Sequence, residues 1–460
     1  MPMPESFKEY TELVCQQLRW KKARSIIKQE IEAHLCDQRD ALMKNGMDED
    51  SANRESIRQM GDAVEIGMEL DRVHRPRPAW EMFALTALLA FIGIFIKIFL
   101  TYDSNTPMQP IYSAVAVLLG TGCMLGAYFL DFTLIGKYPL LIYFGAALSV
   151  VALCLVSGQR MLNGKYYYAQ YVLLLYPLAF AALLYRLHGK KYTGLFLALA
   201  GVGLLSFCCF LVPSVGGLAI TVVSALALMI VAAAADWFST GRARSFIFIG
   251  VVTLIAAILL LLSLMTSGGL TARIYAAFNP WSDPMGAGWQ SIIVRELVGG
   301  ARFIGRGSTG EYSTGLSIPC MNSDFLLTWL IHNVGWIAFI VIMTIFAAFL
   351  FCGFRLCFKQ KNMLGKLVSF AVMLILTLQT ISYVATNLGF ALIYSMSLPL
   401  VSYGNTATIV NMALIGVMLS TFRTGSLVKD STLGHQTTRP RRLRWRNGEL
   451  TISFKRHIAS

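Results

Sequence analysis

A carboxylate set between a tryptophan and a glycine-rich turn is a candidate for proton-transfer chemistry, and this chain carries one at NPWSDPMGAGWQ, residues 279–290. The acid is Asp283, with Trp281 two residues before it and Trp289 and Gln290 just after the glycines. A carboxylate within hydrogen-bond reach of a hydroxyl can take its proton as that oxygen attacks an electrophile. The plainer role is structural, because Ser-Asp-Pro ahead of glycines is a common turn in which Asp accepts from a backbone amide. Downstream, SIIVRELVGGARFIGRG interleaves Arg295, Arg302 and Arg306 with Ile293, Leu297 and Phe303. That spacing predicts a short helix lying on the outer leaflet with its basic groups toward headgroups or phosphates. Arginines that only snorkel give the same pattern.

The elements that must position these residues are membrane helices. The chain has 460 residues, 56% hydrophobic and only 14% charged, with a mean hydropathy of +0.59, too apolar for a soluble globule of this length. Apolar runs long enough to cross a bilayer as helix recur from Ala84 to Thr421. About ten are expected, near residues 83–100, 111–132, 139–156, 171–187, 193–212, 217–238, 246–265, 325–351, 367–386 and 394–422. Lys137, the Arg186, Lys190 and Lys191 cluster, the Arg242 and Arg244 pair, and the group from Arg355 to Lys366 fall on alternate turns. Basic residues favour the cytoplasmic side, so both termini are expected there and Asp283 outside, in a folded external loop over 267–324. Gln379, Asn387 and Asn411 are the main polar groups within the spans, and each suits a helix-to-helix hydrogen bond.

The first 78 residues differ in kind. The segment up to Trp80 holds 15 of the 25 acids and no run long enough to span. Three stretches with helical spacing predict a small soluble three-helix domain, with Gly46 as a stop and Asp48 as an N-cap. The linker HRPRPAW separates it from a transmembrane domain over 79–425. Residues 426–460 form a basic cytoplasmic tail with seven Lys or Arg from Arg439 to Arg456, expected to bind anionic membrane lipid and not nucleic acid. Nine cysteines and six histidines form no metal, disulfide or hydrolase pattern, and only Cys320 is placed clearly outside. The charged start, with no apolar core, does not read as a signal peptide.

NPWSDPMGAGWQ, GGARFIGRG, the NSDF at residues 322–325 and SLPLVSYGNTATIVNMALIGVMLS from Ser397 resemble, in order, the motifs of the SEDS proteins, the RodA, FtsW and SpoVE group. The resemblance covers roughly residues 84–422. The N-terminal segment is similar to permease-prefix segments of some Gram-positive membrane proteins. The resemblance implies a fold of ten helices and a peptidoglycan glycosyltransferase acting on lipid II, the undecaprenyl-pyrophosphate-linked precursor, paired with a class B penicillin-binding transpeptidase. It places Asp283 at the family's essential acid, where partial burial beside Trp281 would strengthen it as a base. It implies a substrate site including Trp281, Trp289, Gln290, Arg295, Arg302, Arg306, Ser402 and Tyr403. The arginines, or a divalent cation such as Mg2+ or Mn2+, would meet the charge developing on the diphosphate.

Departures from the family pattern are concentrated away from the Asp283 loop. The QPSExxK pattern becomes YPLAFAA, Tyr176 to Ala182, which removes a buried glutamate and lysine. QPDxG becomes VPSVG, with Ser214 for the acid, and SYGGSS becomes SYGNTA. Tyr167 or Tyr168 stands where relatives carry a tryptophan, and His332 and Asn333 replace paired glutamates. Losing both members of a buried ion pair can leave folding nearly unaffected. Two alternatives to the enzyme therefore stand: a catalytically degenerate scaffold binding the lipid-linked precursor or a transpeptidase, and a precursor transporter or flippase.

Overall fold

The computed structural model describes residues 4–76, 78–104, 109–156, 161–162, 165–166, 169–212, 214–266, 274–286, 288–310, 324–390, 396–402, 404–425, 443–446 and 449–452. The chain divides into two compact units, Met1–Pro78 and Ala79–Ser460.

The first unit contains four helices where the sequence predicts three: α1 (Glu5–Gln17), α2 (Lys21–Lys44), α3 (Glu49–Met60) and α4 (Ala63–His74). The predicted third helix divides at Gly61, whose φ of 96° is open to glycine and costly for a side chain. Asp62 then starts α4, its carboxylate accepting from the Glu65 amide at 3.2 Å. Asp48 caps α3 in the same way, from Ser51 at 3.0 Å, as the sequence predicts. Phe7, Val14, Leu18, Ile27 and Leu35 form the apolar core of this unit.

The second unit is that of a multi-pass membrane protein. Its helices are α5 (Trp80–Ser104), α6 (Gln109–Phe129), α7 (Thr133–Lys137), α8 (Pro139–Val156), α9 (Ala169–Val172), α10 (Tyr176–Arg186), α11 (Lys191–Leu211), α12 (Val215–Ala234), α13 (Arg242–Thr266), α14 (Trp289–Gly299), α15 (Leu326–Asn333), α16 (Trp336–Phe358), α17 (Met363–Asn387) and α18 (Asn405–Thr424). Among the described residues, eight helical stretches are long and apolar enough to cross a membrane, and Pro139–Leu155 is a shorter apolar helix. A 3-10 turn, Leu173–Leu175, joins α9 and α10 into one such stretch. The chain is all-α in class, as the sequence predicts, with two small hairpins beside the helices, Met161–Leu162 with Lys165–Tyr166 and Leu443–Arg446 with Glu449–Ile452. Each pair of strands is separated in sequence by Asn-Gly, the dipeptide that two-residue hairpin loops favour.

Two predicted spans differ from the helices observed. The stretch 325–351 breaks at Val334 and Gly335, where Gly335 has a φ of 112°. Chain 302–307 fills the break: the Gly305 and Gly307 amides donate to the carbonyls of Val334 and His332 at 2.8 and 2.7 Å, and the Trp336 and Ile337 amides donate to those of Arg302 and Phe303, both at 3.1 Å. These bonds replace the ones a helix end leaves unmade. The stretch 394–422 is helical only from Asn405. Pro399, which has no amide hydrogen, and Leu400, with a φ of 65°, keep residues 396–402 out of helix.

Close packing fixes the bundle. Gly120 on α6 leaves room for the Met412 side chain on α18, Gly416 on α18 lets the chain approach Met124, and Ser420 donates to the Leu130 carbonyl at 2.5 Å. The helix α17 is central, with buried residues along its length from Met363 to Asn387, and is in contact with α10, α12, α15, α16 and α18. Its last two turns position the polar groups described next.

Candidate functional site

The Asp283 turn is held by backbone. One turn of helix over 274–278 ends with the Asn279 amide donating to the Tyr275 carbonyl at 2.8 Å, and a 3-10 turn, Pro280–Ser282, follows. The carbonyl of Asp283 then accepts from the amides of Gly286 and Gly288 at 3.3 and 3.1 Å. A Cβ at Gly286 would collide with both oxygens of the Asp283 carboxylate, and one at Gly288 would strike the Pro280 carbonyl. The glycines therefore let the chain fold back tightly against the acid. Asp283 is exposed, as is Trp281 at 54% and Met285 at 83%. The expected partial burial beside Trp281 is corrected: in a turn this short neither side chain is covered by the chain.

Behind the turn stands α14. Trp289 and Gln290, both half-buried, begin it, and Trp289 packs against Ile293, Val294, Leu297 and Phe325. Arg295 is half-buried and turned to the chain. Its Nη2 donates to the Ala277 carbonyl at 2.9 Å, its Nη1 to that of Phe278 at 3.4 Å and its Nε to that of Gly389 at 3.2 Å, with the guanidinium 5.0 Å from the Phe390 ring centre. The predicted amphipathic helix ends at Gly299, so Phe303 does not join Ile293 and Leu297 in their buried cluster. Arg302, Phe303 and Arg306 are exposed on the segment that fills the α15–α16 break.

A second group of polar residues lies buried beneath α15. Asn387 accepts from the Thr328 amide at 3.0 Å and from its hydroxyl at 3.1 Å, and donates to the carbonyls of Asp324 and Tyr383, both at 3.0 Å. The Tyr383 hydroxyl accepts from the Leu326 amide at 3.2 Å, with Asp324, Asn387 and Ser402 among its polar neighbours. Phe325 holds the cap position without a side-chain bond, and α17 satisfies the first amides of α15 from across the fold. Ser402 belongs to this buried group, its hydroxyl donating to the Leu398 carbonyl at 3.3 Å. Tyr403, Tyr167, Tyr168, Cys320, Asn322 and most of the basic tail lie outside the described residues.

The predicted site residues therefore fall into two places. Asp283, Trp281, Trp289, Gln290 and Arg295 share the turn and α14, while Ser402 sits with Tyr383 and Asn387, and Arg295 links the two through Gly389. Sequence reasoning missed Tyr383, although an i, i+4 pair of polar residues in an apolar helix is a readable signal. It also missed Lys97, buried in α5 one turn after Gly93, where a Cβ would strike the Leu400 carbonyl. An ionisable residue inside a span is a functional signal by default. Among the described residues no three His, Cys, Asp or Glu come together as a metal site, so a divalent ion here would rest on Asp283 and on oxygens of a ligand. The stretch that replaces QPSExxK is packed and apolar, with Ala179, Phe180 and Ala182 buried.

Residues 79–425 match the family model described as cell cycle protein, the FtsW, RodA and SpoVE group. Stage V sporulation protein E of Bacillus subtilis (strain 168) is 26% identical over 182 residues, 40% of this chain and 49% of that protein. A probable peptidoglycan glycosyltransferase FtsW of Geobacter sp. (strain M18) is 28% identical over 148 residues, 32% of this chain and 40% of that one. The chain thus spans half or less of the length of these relatives. A structure solved in work on the structural coordination of polymerization and crosslinking by a peptidoglycan synthase complex superposes with a TM-score of 0.61 at 20% identity, covering 75% of this chain and 98% of that one. At that identity the likeness is one of fold.

Proposed function

The chain belongs to the FtsW, RodA and SpoVE family of cell cycle proteins, and from that premise we propose that it is a membrane glycosyltransferase that polymerises lipid II into glycan strands, with Asp283 as general base. The observation that carries this reading is the turn built around an exposed carboxylate: two glycines, needed to clear the acid and the Pro280 carbonyl, fold the chain against it. In the reaction a sugar hydroxyl of one lipid-linked saccharide attacks the anomeric carbon of another. A glycosidic C–O bond forms, the bond to the pyrophosphate breaks with its electron pair, and Asp283 takes the hydroxyl proton. Bound sugar, not protein, desolvates the carboxylate. Arg302 and Arg306, both exposed, are cations available to the diphosphate among the described residues, since Arg295 is committed to carbonyl groups. A class B penicillin-binding transpeptidase is the partner that this reading assigns.

The test is glycan length from lipid II, with the transpeptidase present and a thermal melt run alongside. Asn keeps the size and turn-forming ability of Asp but cannot hold a proton. Asp283→Asn is expected to lower polymerisation by roughly 10²- to 10⁴-fold with an unchanged melt. Wild-type polymer from the variant ends the assignment. A second reading, a scaffold that binds lipid-linked precursor without turning it over, is favoured by the apolar packing at Ala179 and Ala182. Absence of polymer from the wild-type chain selects it.

The same reading puts both termini in the cytoplasm and Asp283 outside a bacterial plasma membrane, from the alternation of basic loops. An impermeant maleimide is expected to label Cys320 in intact protoplasts and to miss a cysteine introduced by Ser431→Cys. The opposite pattern inverts the topology.

A further inference from the structure

Arg295 stands between the two polar regions, and its bonds are distributed in a way that assigns it a task. The carbonyls of Ala277 and Phe278, which it reaches with Nη2 and Nη1, are the last two of the helical turn that leads into Asn279 and the Asp283 loop. Carbonyls at a helix end have no partner within the helix and carry partial negative charge, which a guanidinium suits. Its third contact, from Nε to the Gly389 carbonyl, lies just past the end of α17, the helix that carries Tyr383 and Asn387. Gly389 has a φ of 89°, and a Cβ there would lie 2.5 Å from Arg295 Cγ. One residue thus turns the chain and clears a slot for the arginine stem. The Phe390 ring covers the guanidinium at 5.0 Å.

We propose that Arg295 is a positioning residue that ties the chain entering the Asp283 turn to the end of α17, and so sets where the carboxylate stands relative to bound sugar. This role rests on the reading of Asp283 as base. The glycines shape the turn, and Arg295 adds three bonds that join two separate segments of chain, the one entering the turn and the one leaving α17. A planar fork can serve three carbonyls in fixed directions, whereas a lysine is a single flexible point charge. A carboxylate displaced by an ångström no longer meets its hydroxyl, and such a shift can cost on the order of 10²-fold in rate.

The experiment uses the full chain in lipid nanodiscs with lipid II, comparing wild type with Arg295→Gln, Arg295→Lys and Gly389→Ala. Rates are taken against substrate concentration and pH, and hydrogen exchange is measured at the backbone amides of residues 279–288. Arg295→Gln is expected to lower kcat by about 10- to 100-fold with KM within about twofold. Exchange at the amides of Asn279 and Asp283 should quicken by about tenfold, reporting the loosened tie without any turnover. Arg295→Lys should resemble Arg295→Gln, and Gly389→Ala should move rate and exchange in the same direction by less. A raised KM with kcat preserved, together with near-normal Arg295→Lys, overturns the proposal in favour of a direct contact with the diphosphate. Unchanged exchange in Arg295→Gln overturns it as well. If Asp283→Asn still makes polymer, the base assignment falls while the exchange measurement continues to report on the tie alone.

Discussion

At Asp283 backbone bonds hold the turn and the side chain is exposed; around Asn387 side-chain bonds do the holding, and Asn387, Thr328 and Tyr383 are buried. The turn uses the amides of Gly286 and Gly288 on one carbonyl, and the Asp283 side chain lies at the exposed surface. The cluster spends both ends of the Asn387 amide, the Thr328 hydroxyl and the Tyr383 hydroxyl on supporting the start of α15. An exposed polar group exchanges one set of hydrogen bonds for water at little net cost, whereas a buried donor stripped of its acceptor suffers the full desolvation penalty. The two regions should therefore separate activity from stability.

The largest expected effect is that crossing. Asn387→Leu removes the acceptor of the buried Thr328 amide and two donors to carbonyls, and is expected to destabilise the membrane unit by about 2–4 kcal/mol. The measurement is a thermal melt in detergent, with polymerisation assayed well below the transition. Asp283→Asn should show the mirror image, a rate loss with an unmoved melt. A melt unchanged by Asn387→Leu would show that water replaces the amide and that the cluster is wet.

Much of the helical layout is legible because a bilayer demands long apolar runs, and α5, α8, α11 and α17 stand where those runs predict them. The breaks are less so. Val334 and Gly335 sit inside an unbroken apolar stretch, and the partners that make the interruption affordable come from residues 302–307, far away in sequence. The same holds for the start of α15, whose Leu326 and Thr328 amides are met by Tyr383 and Asn387, and for Arg295, whose acceptors are backbone carbonyls that no side-chain pattern records. The turn that carries Asp283 is legible because Pro and Gly write its geometry locally.

A smaller effect extends the comparison to the first unit, where an exposed acid does structural work. The Ser51 amide and hydroxyl hold the Asp48 carboxyl below its usual 3.8. With the folded value depressed, the stabilisation is present above the unfolded value and fades as pH falls through the folded one. In a fragment of residues 1–78, helical circular dichroism is expected to weaken from about pH 4 downward, and Asp48→Asn, which still caps, should flatten that limb slightly. Identical acid limbs would remove Asp48 from the pH response, and a fragment without helix at neutral pH would show that this unit needs the rest of the chain.

The seam between residues 302–307 and the α15–α16 break has a practical consequence for handling the protein. Gly307 is bonded to His332, and Trp336 to Arg302, so this segment, the end of α15 and the start of α16 hold one another. An affinity tag inserted within residues 302–307 would cut that seam and is expected to loosen both helix ends together, so a handle for purification or imaging belongs away from it.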